Sequence, residues 1–410
     1  MKPRESRVFR NSDLYSVIVS CLRKRRRVTR KAGLLNHPIH DQGPQWVAGF
    51  MSGTSLDATD AALILTDGEK VLEFGPVAER KYTVRERQAL QEATDAARAW
   101  NWLGPMPEDA FEAARKVITE THAEAFEMLR NGSGSGMPGP LAGVHGQTVL
   151  HRRPRPGQIG ATLQLIDAAA LQAALGVTLA YDFRTADVAA AGQGAPLAPA
   201  YHGALLERAG DGASAVLNLG GVANITARMA DGMLFAFDTG PANGPIDEWV
   251  EGHGKGTHDA GGAYAAAGRV HEGLLVQLMD HDWFQELPPK SLDRYDFNAS
   301  MARGLSLEDG AATLTAFSAR AVAAGVAQLP DMPERVIACG GGRHNPSLMT
   351  ALAVALPCPV LSAEQAGWRG DSIEAEAFAF LAARTVRGLP ISWPTTTGVP
   401  AAMTGGRVLG

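Results

Sequence analysis

Two strand–turn–strand units, about 170 residues apart, constrain this chain more than any other feature of its sequence. The first runs from Trp46 to Ser52, passes through a tip of Gly53, Thr54, Ser55, Leu56 and Asp57, and leaves through Ala58, Thr59, Asp60 and the apolar run Ala61 to Leu65. The second runs from Ala215 through Asn218 to Leu219, turns at Gly220 and Gly221, and leaves through Val222, Ala223, Asn224, Ile225 and Thr226. Apolar runs with strand character around a short polar turn predict β-hairpins, and their repetition predicts a duplicated fold. Taken alone, the first tip fits either an ordinary Gly-Ser-Thr turn or a loop that holds phosphate. In the second case Gly53 lets the backbone approach an anion, Thr54 and Ser55 add hydroxyl donors, and Asp57 holds magnesium directly or through water.

At 410 residues, 45% hydrophobic and 20% charged, the chain has material for two α/β domains. No run approaches the ~18 apolar residues of a membrane span. Cys21, Cys339 and Cys358 are widely spaced, which argues against a disulfide framework or a structural zinc site and fits a reducing cytoplasm. The net charge of −5 is unevenly spread, because residues 1–44 hold eleven Lys/Arg against three Asp/Glu. The remainder is therefore acidic and unsuited to general nucleic-acid binding. In the basic leader the apolar stretch Tyr15 to Leu22 precedes most of the positive charge, the wrong order for a secretory signal. Residues 1–44 are expected to be a disordered or non-functional extension.

A strand is expected near Val71–Phe74, then a helix-rich region to Leu129 whose second half sets Phe111, Ala114, Ile118, Ala125 and Leu129 on one side. Gly132 to Gly136 reads as a flexible loop. The short strand Leu141–Val144 delivers His145, Gly146, Gln147 and Thr148 at its carboxyl end, where open α/β sheets collect ligands. His145 is there either a substrate contact or a hydrogen-bonded structural histidine. Leu163, Ile166, Ala170, Leu171 and Leu175 predict a helix stopped by Gly176. The strand Val177–Tyr181 ends on Asp182, which is either a general base or a cap and ion-pair partner, with Arg184 in reach. The loop Ala191–Pro199, with Gln193, makes a ligand-facing wall. Residues Asp247–Phe297 read as irregular and polar, with Lys290 and Arg294 as fixed cations near an acidic substrate. A helix over Glu308–Ala327 and a strand Arg335–Ala338 lead into Cys339-Gly340-Gly341-Gly342, where a base or sugar can lie against backbone. The last helix, Ser372–Val386, turns Ala375, Phe378, Ala379 and Ala382 toward a sheet.

Neither a P-loop nor a dinucleotide fingerprint is present. Gly49 to Asp57, His145 to Thr148, Asp182 to Arg184 with Gly192 to Leu197, Asn218 to Thr226, Asp238 to Pro241, Pro288 to Ser291, Ala312 to Thr315 and Gly340 to Gly342 with His344 to Pro346 resemble the motifs of the anhydro-N-acetylmuramic acid kinase family, in its order. The resemblance covers about residues 46–405.

It implies a two-lobed α/β fold of the actin/hexokinase/Hsp70-like (ribonuclease H-like) type, with an ATP cleft between duplicated domains. The first lobe is residues 45–205 plus 366–410 and the second residues 206–365. It implies a cytoplasmic, ATP- and magnesium-dependent enzyme of peptidoglycan recycling, which opens the 1,6-anhydro ring of 1,6-anhydro-N-acetylmuramic acid and phosphorylates O6. Other readings are a kinase of the same fold for another anhydrosugar or amino sugar, and an ATP-binding sensor without turnover. Asp182 matches the family's catalytic base. Gly53, Thr54, Ser55, Leu56, Asp57, Ala58, Thr59 and Asp60 match its ATP loop, with Gly220, Gly221, Asn224, Gly340, Gly341, Gly342 and Asn345 as further nucleotide contacts and Asp57 as metal ligand. His145, Gln147, Thr148 and Gln193 are the expected sugar contacts. A homodimer is implied, with no nucleic-acid or membrane partner.

The chain departs from the family at Ala58, Ala191 and Ala242, where glycine is usual, and at Leu292-Asp293, where Thr-Gly is usual. Each alanine must have right-handed or extended backbone, or carry about 1 kcal/mol or more of strain.

Overall fold

A computed structural model of the protein describes residues 43–53, 55–132, 139–155, 157–210, 212–292 and 296–410. Nearly all of the basic leader, Thr54, the loop after Gly132, Asp293 and Arg294 lie outside the described residues. The first hairpin pairs β1 (Gln45–Ser52) with β2 (Ala58–Thr66), and β3 (Val71–Lys81) adds a third antiparallel strand. After α1 (Val84–Trp100) and α2 (Glu108–Gly132) come β4 (Leu141–Arg152), β5 (Ala161–Leu165), α3 (Ala168–Leu175) and β6 (Thr178–Tyr181). Strand β4 lies parallel to β1 on one side and to β6 on the other. The order is therefore β3-β2-β1-β4-β6, three antiparallel strands followed by two parallel ones.

Beyond α4 (Pro199–Ala209) the chain does the same again. Strands β7 (Ser214–Leu219), β8 (Val222–Arg228) and β9 (Leu234–Pro241) are antiparallel. They are followed by α5 (Asn243–Gly252), α6 (Glu272–Met279), α7 (Leu307–Val326), β10 (Val336–Cys339), α8 (Pro346–Ala355) and β11 (Val360–Ser362). The second order, β9-β8-β7-β10-β11, copies the first, so the duplication extends from the hairpins to the whole sheet. The chain then returns to the first sheet through α9 (Ile373–Val386), and β12 (Arg407–Leu409) pairs with β6.

Helix α9 can lie on the first sheet because β1 and β4 carry glycine beneath it. A Cβ on Gly49 would stand 2.0 Å from the Ala375 carbonyl oxygen, and one on Gly143 would stand 2.0 Å from that of Phe378. The faces so joined merge α4 and α9 with both sheets in one core, where Val47 and Leu141 meet Tyr201, Phe378, Val216 and Ile337. Buried Glu376 on α9 accepts hydrogen bonds from Tyr201 Oη and from Arg369 Nε, the latter at 2.6 Å.

Three local expectations need correction. Strand β4 does not end at Val144 but continues to Arg152, because β5 pairs antiparallel with its second half. The same pairing takes Leu163 out of the expected helix; α3 begins only at Ala168, where Asp167 Oδ1 accepts from the Ala170 amide at 3.0 Å. An alternating Leu163-Gln164-Leu165 run fits either period, and a neighbouring strand decides. Residues 247–297 are not simply irregular, since they include most of α5 and all of α6 and bring Trp283, Phe284 and Phe297 into a cluster with Phe317 of α7.

Of the three alanines at family glycine positions, Ala58 lies in extended β2 and Ala242 has φ −126°. Ala191 has φ 66°, in the left-handed region where a Cβ is strained. Ala191→Gly is expected to stabilise the chain by about 0.5–1 kcal/mol, the relief of strain outweighing the extra unfolded-state entropy of glycine. A chemical denaturation midpoint that falls on substitution would refute this.

Candidate active site

The tip of the first hairpin is held against β4, for Gln147 Nε2 donates to the Gly53 carbonyl at 3.3 Å. Gln147 itself is fully buried. Beyond Ser55, Leu56 has φ 57° and is buried with Leu90 and Phe111. Asp57, the expected metal ligand, lies at the surface and pairs with Arg87 at 3.1 Å. Thr59 is turned into the core, where its hydroxyl bonds Thr121 at 3.1 Å and Tyr82 at 2.9 Å. Asp60 is half-buried, and burial, with Glu79, Glu374 and Asp371 nearby, lifts its pKa to about 6.

Asp182 follows β6 immediately and has φ 55°, a conformation Asp tolerates better than most residues. Its Oδ1 accepts from the Thr185 hydroxyl and its Oδ2 faces Arg407 Nε at 3.0 Å. The ion pair open in the sequence is thus with Arg407 of β12, not with Arg184. Arg184 instead donates from Nε to His145 Nε2 at 2.9 Å and from Nη1 to the Gly194 carbonyl at 2.7 Å. Burial lowers its pKa to about 10. His145 is buried against Phe378, and burial and the Arg184 charge hold it neutral, well below the usual histidine range. It accepts at Nε2, so its proton sits on Nδ1, and it serves as a brace for Arg184. Thr148 is 3.5 Å from the same ring nitrogen. Buried Asp187 receives the Gly194 amide at 2.7 Å and the Thr397 hydroxyl at 2.6 Å, which fixes the loop carrying Gln193.

Of the four expected sugar contacts, Gln193 lines a cavity. Two adjoining cavities, of about 300 Å³ and about 310 Å³, share Arg153, Arg155, Gln193 and Ser291 as walls. Arg153 Nη1 donates to the Ser291 carbonyl at 2.5 Å and to its Oγ at 2.8 Å, and Ser291 Oγ donates to Gln193 Oε1 at 2.7 Å. Lys290 is less available than expected, because its ammonium is buried over the Trp283 ring and donates to the Trp283 carbonyl at 3.1 Å. Burial lowers its pKa to about 8.

Asp238 lines the second cavity, and burial raises its pKa from 3.8 to about 6 against the pull of the Leu292 amide and Arg153. The folded chain thus holds a proton that the unfolded chain releases. That contribution to stability is complete below pH 3.8 and lost as pH rises through about 6. Asp238→Asn is accordingly expected to melt at a progressively higher temperature than the parent as pH rises from 4 to 7. A melting difference independent of pH would contradict it.

In the second sheet, the carbonyls of Gly220 and Gly221 accept from the amides of Asn243 at 2.9 Å and Gly244 at 3.1 Å, at the start of α5. Gly340 has φ 75°, and a Cβ there would stand 2.4 Å from Asn218 Oδ1, so the glycine turn packs directly on the end of β7. Asn224 pairs with Asn218 and Asp238 across the hairpin. Asn345, expected at the nucleotide, spends its side chain capping α8 through the Leu348 amide at 3.1 Å. Arg343, not anticipated, ties the turn to Glu364 at 2.9 Å and Asp371 at 2.8 Å.

The unanticipated Glu374, in the first turn of α9, links these groups. Its charge acts on Asp60, on Arg184 and on Cys339 beside the glycine turn. Burial of its carboxyl raises its own pKa although the residue as a whole is exposed. Only an acidic first turn in the sequence pointed to it. Among the described residues no three His, Cys, Asp or Glu side chains converge as a metal site, and no helix is long and apolar enough to cross a membrane. A magnesium ion that keeps waters and phosphate oxygens needs only one or two protein carboxylates, and Asp60, on which the charge of Glu374 acts, is a half-buried one.

The family model for anhydro-N-acetylmuramic acid kinase matches residues 45–409. An anhydro-N-acetylmuramic acid kinase from Caulobacter vibrioides is 54% identical over 366 residues, spanning 89% of this chain and 98% of that protein. One from Rhizobium rhizogenes is 51% identical over 368 residues, spanning 89% of this chain and 99% of that protein.

Proposed function

The chain belongs to the anhydro-N-acetylmuramic acid kinase family, and from that premise we infer how its residues perform the family's reaction. The enzyme uses ATP to convert 1,6-anhydro-N-acetylmuramic acid to N-acetylmuramic acid 6-phosphate in peptidoglycan recycling. Water adds to the anomeric carbon, the C1–O6 bond breaks, and O6 displaces ADP from the γ-phosphorus. Asp182 takes the proton from that water. The observation that carries this role is a carboxylate at the carboxyl end of a parallel strand, engaged on both oxygens by Thr185 and Arg407. Its φ of 55° fits a residue held for function.

The two sheets would form two lobes, residues 45–205 with 366–410 and residues 206–365, with ATP between them. Its phosphates would face Gly53–Asp60 from one side and Gly220–Gly221 from the other, and its adenosine would face Gly340–Gly342. The reach of the Glu374 charge to Asp60 of the first hairpin and to Cys339 beside the glycine turn supports this arrangement. Arg184, braced by His145 and Gly194, would stabilise charge on the transferring phosphoryl. Asp60 and Glu374 would hold magnesium, which when bound neutralises phosphate charge. Both substrates must be clamped together for the coupled displacement, which a closing cleft achieves.

The test is incubation of the purified chain with Mg-ATP and 1,6-anhydro-N-acetylmuramic acid, with the product weighed by mass spectrometry. A product heavier by one water and one phosphoryl group is expected. No such product from this sugar, with turnover of a different one, would overturn the substrate.

A further inference from the structure

We propose that Thr397 is a positioning residue of the reaction, because the strap of residues 393–397 ties the edge of the second sheet to the loop that aims Arg184. This rests on the part given to Arg184 in the proposed function. Three successive threonines of the strap send their hydroxyls to three places. That of Thr396 closes a turn on the Trp393 carbonyl at 3.1 Å, that of Thr395 donates to the Leu234 carbonyl of β9, and that of Thr397 donates to Asp187 Oδ2 at 2.6 Å.

Thr397 is fully buried, and a hydroxyl is costly to bury unless it is bonded, so its partner explains it. Asp187, equally buried, takes two donors, the Thr397 hydroxyl on Oδ2 and the Gly194 amide on Oδ1 at 2.7 Å. Thr397 holds the same loop a second time, since its carbonyl accepts from the Gln193 amide at 2.7 Å. The loop lies hard on these supports. A Cβ on Gly192 would stand 2.2 Å from Asp187 Oδ1 and 2.5 Å from Val399 Cγ1.

Arg184 receives the effect. Its guanidinium has two supports, His145 Nε2 on its Nε and the Gly194 carbonyl on its Nη1. His145 belongs to β4, in the middle of the first sheet, and is packed on Phe378, so it stays when the loop shifts. Gly194 does not stay. A loop released from Asp187 turns the guanidinium about its His145 bond and carries its charge off the line of the transferring phosphoryl. At its other end the strap is fastened to β9, the edge strand of the second sheet, whose Ala236 amide donates to the Thr395 carbonyl at 2.9 Å. Arg184 is thus aimed by both sheets at once, through groups that touch no reacting atom.

The experiment measures kcat, KM for Mg-ATP and melting temperature for Thr397→Val, Thr397→Ser and Thr395→Val, each in the parent and in the Arg184→Gln chain. Thr397→Val keeps the branched shape and the backbone carbonyl and removes the hydroxyl. It is expected to lower kcat by about 10- to 100-fold, the effect of a misplaced group. KM for Mg-ATP should stay within about threefold, and Thr397→Ser should recover most of the loss. In the Arg184→Gln chain Thr397→Val should cost less than about threefold more, because the group it aims is gone. An equal loss in both chains is what a merely structural threonine gives, and it overturns the assignment. So does a Thr397→Val that turns over like the parent, or one that serine does not rescue. If Thr397→Val yields no folded protein, Thr395→Val at its half-buried position carries the test, with a kcat lower by roughly 3- to 10-fold in the parent chain alone expected and a parent-like kcat overturning the proposal. An Arg184→Gln chain that turns over at the parent rate is a different failure, that of the part given to Arg184 in the proposed function, and takes this proposal with it.

Discussion

Asp182→Asn is expected to lower kcat for phosphorylation of 1,6-anhydro-N-acetylmuramic acid by about 10²- to 10⁴-fold, the range for removal of a general base. The amide keeps the size of the side chain and an oxygen for the Thr185 hydroxyl, but it cannot accept the proton from water. Affinity for Mg-ATP should stay within about threefold, because the substitution alters no proposed phosphate contact. The rival account is that Asp182 serves only to anchor the C-terminal strand through Arg407. That pair is exposed on the arginine side, so its contribution to stability is at most about 1 kcal/mol. Arg407→Gln separates the two. If Asp182 is the base, this variant retains most turnover; if the pair is the whole role, both variants lose activity alike. Turnover by Asp182→Asn within tenfold of the parent would remove the residue from the mechanism.

The second large effect concerns stability. Gly49→Ala is expected to cost about 3 kcal/mol or more and to yield little folded protein, because the added methyl collides with backbone. The Ala375 carbonyl at 2.0 Å and the Ala379 amide nitrogen at 2.4 Å cannot rotate aside, so α9 must lift from β1. Gly143→Ala meets the same obstacle at the Phe378 carbonyl. Gly252→Ala, at the end of α5 with open space about its Cβ, is the control and should be near neutral. Urea unfolding of the three variants measures the difference. A parent-like midpoint for Gly49→Ala would mean that α9 does not rest on the sheet as described. Lifting α9 would also displace Glu374 and remove Phe378 from beneath His145, so any folded remainder should be poorly active.

Several parts of this architecture were legible residue by residue. The two hairpins announce themselves through apolar runs around Gly53 and Gly220–Gly221, and their repetition carries the duplicated sheet order. Asp182 at the end of a strand and the glycines before α8 follow from local pattern too. The small-residue face of α9, with Ala375, Ala379 and Ala382, foretells close packing on a sheet. The glycines that receive it lie hundreds of residues earlier, and nothing local joins the two.

Polar side chains were a different matter. His145 was open between substrate and structure, and its burial against Phe378 with Arg184 on Nε2 assigns it a bracing part. Asp57 and Asp60 are alike in the sequence, yet one pairs with Arg87 at the surface while the other is half-buried among carboxylates. Arg407 and Glu374 carry no motif at all. The sequence by itself determined the hairpins, the turns, the duplication and the family, because hydrophobic period and turn chemistry act between near neighbours. Only the tertiary structure decided which charges face each other, how far β4 runs and which polar side chains are buried. Those outcomes depend on burial and on partners distant in the chain, and burial is a property of the assembled core.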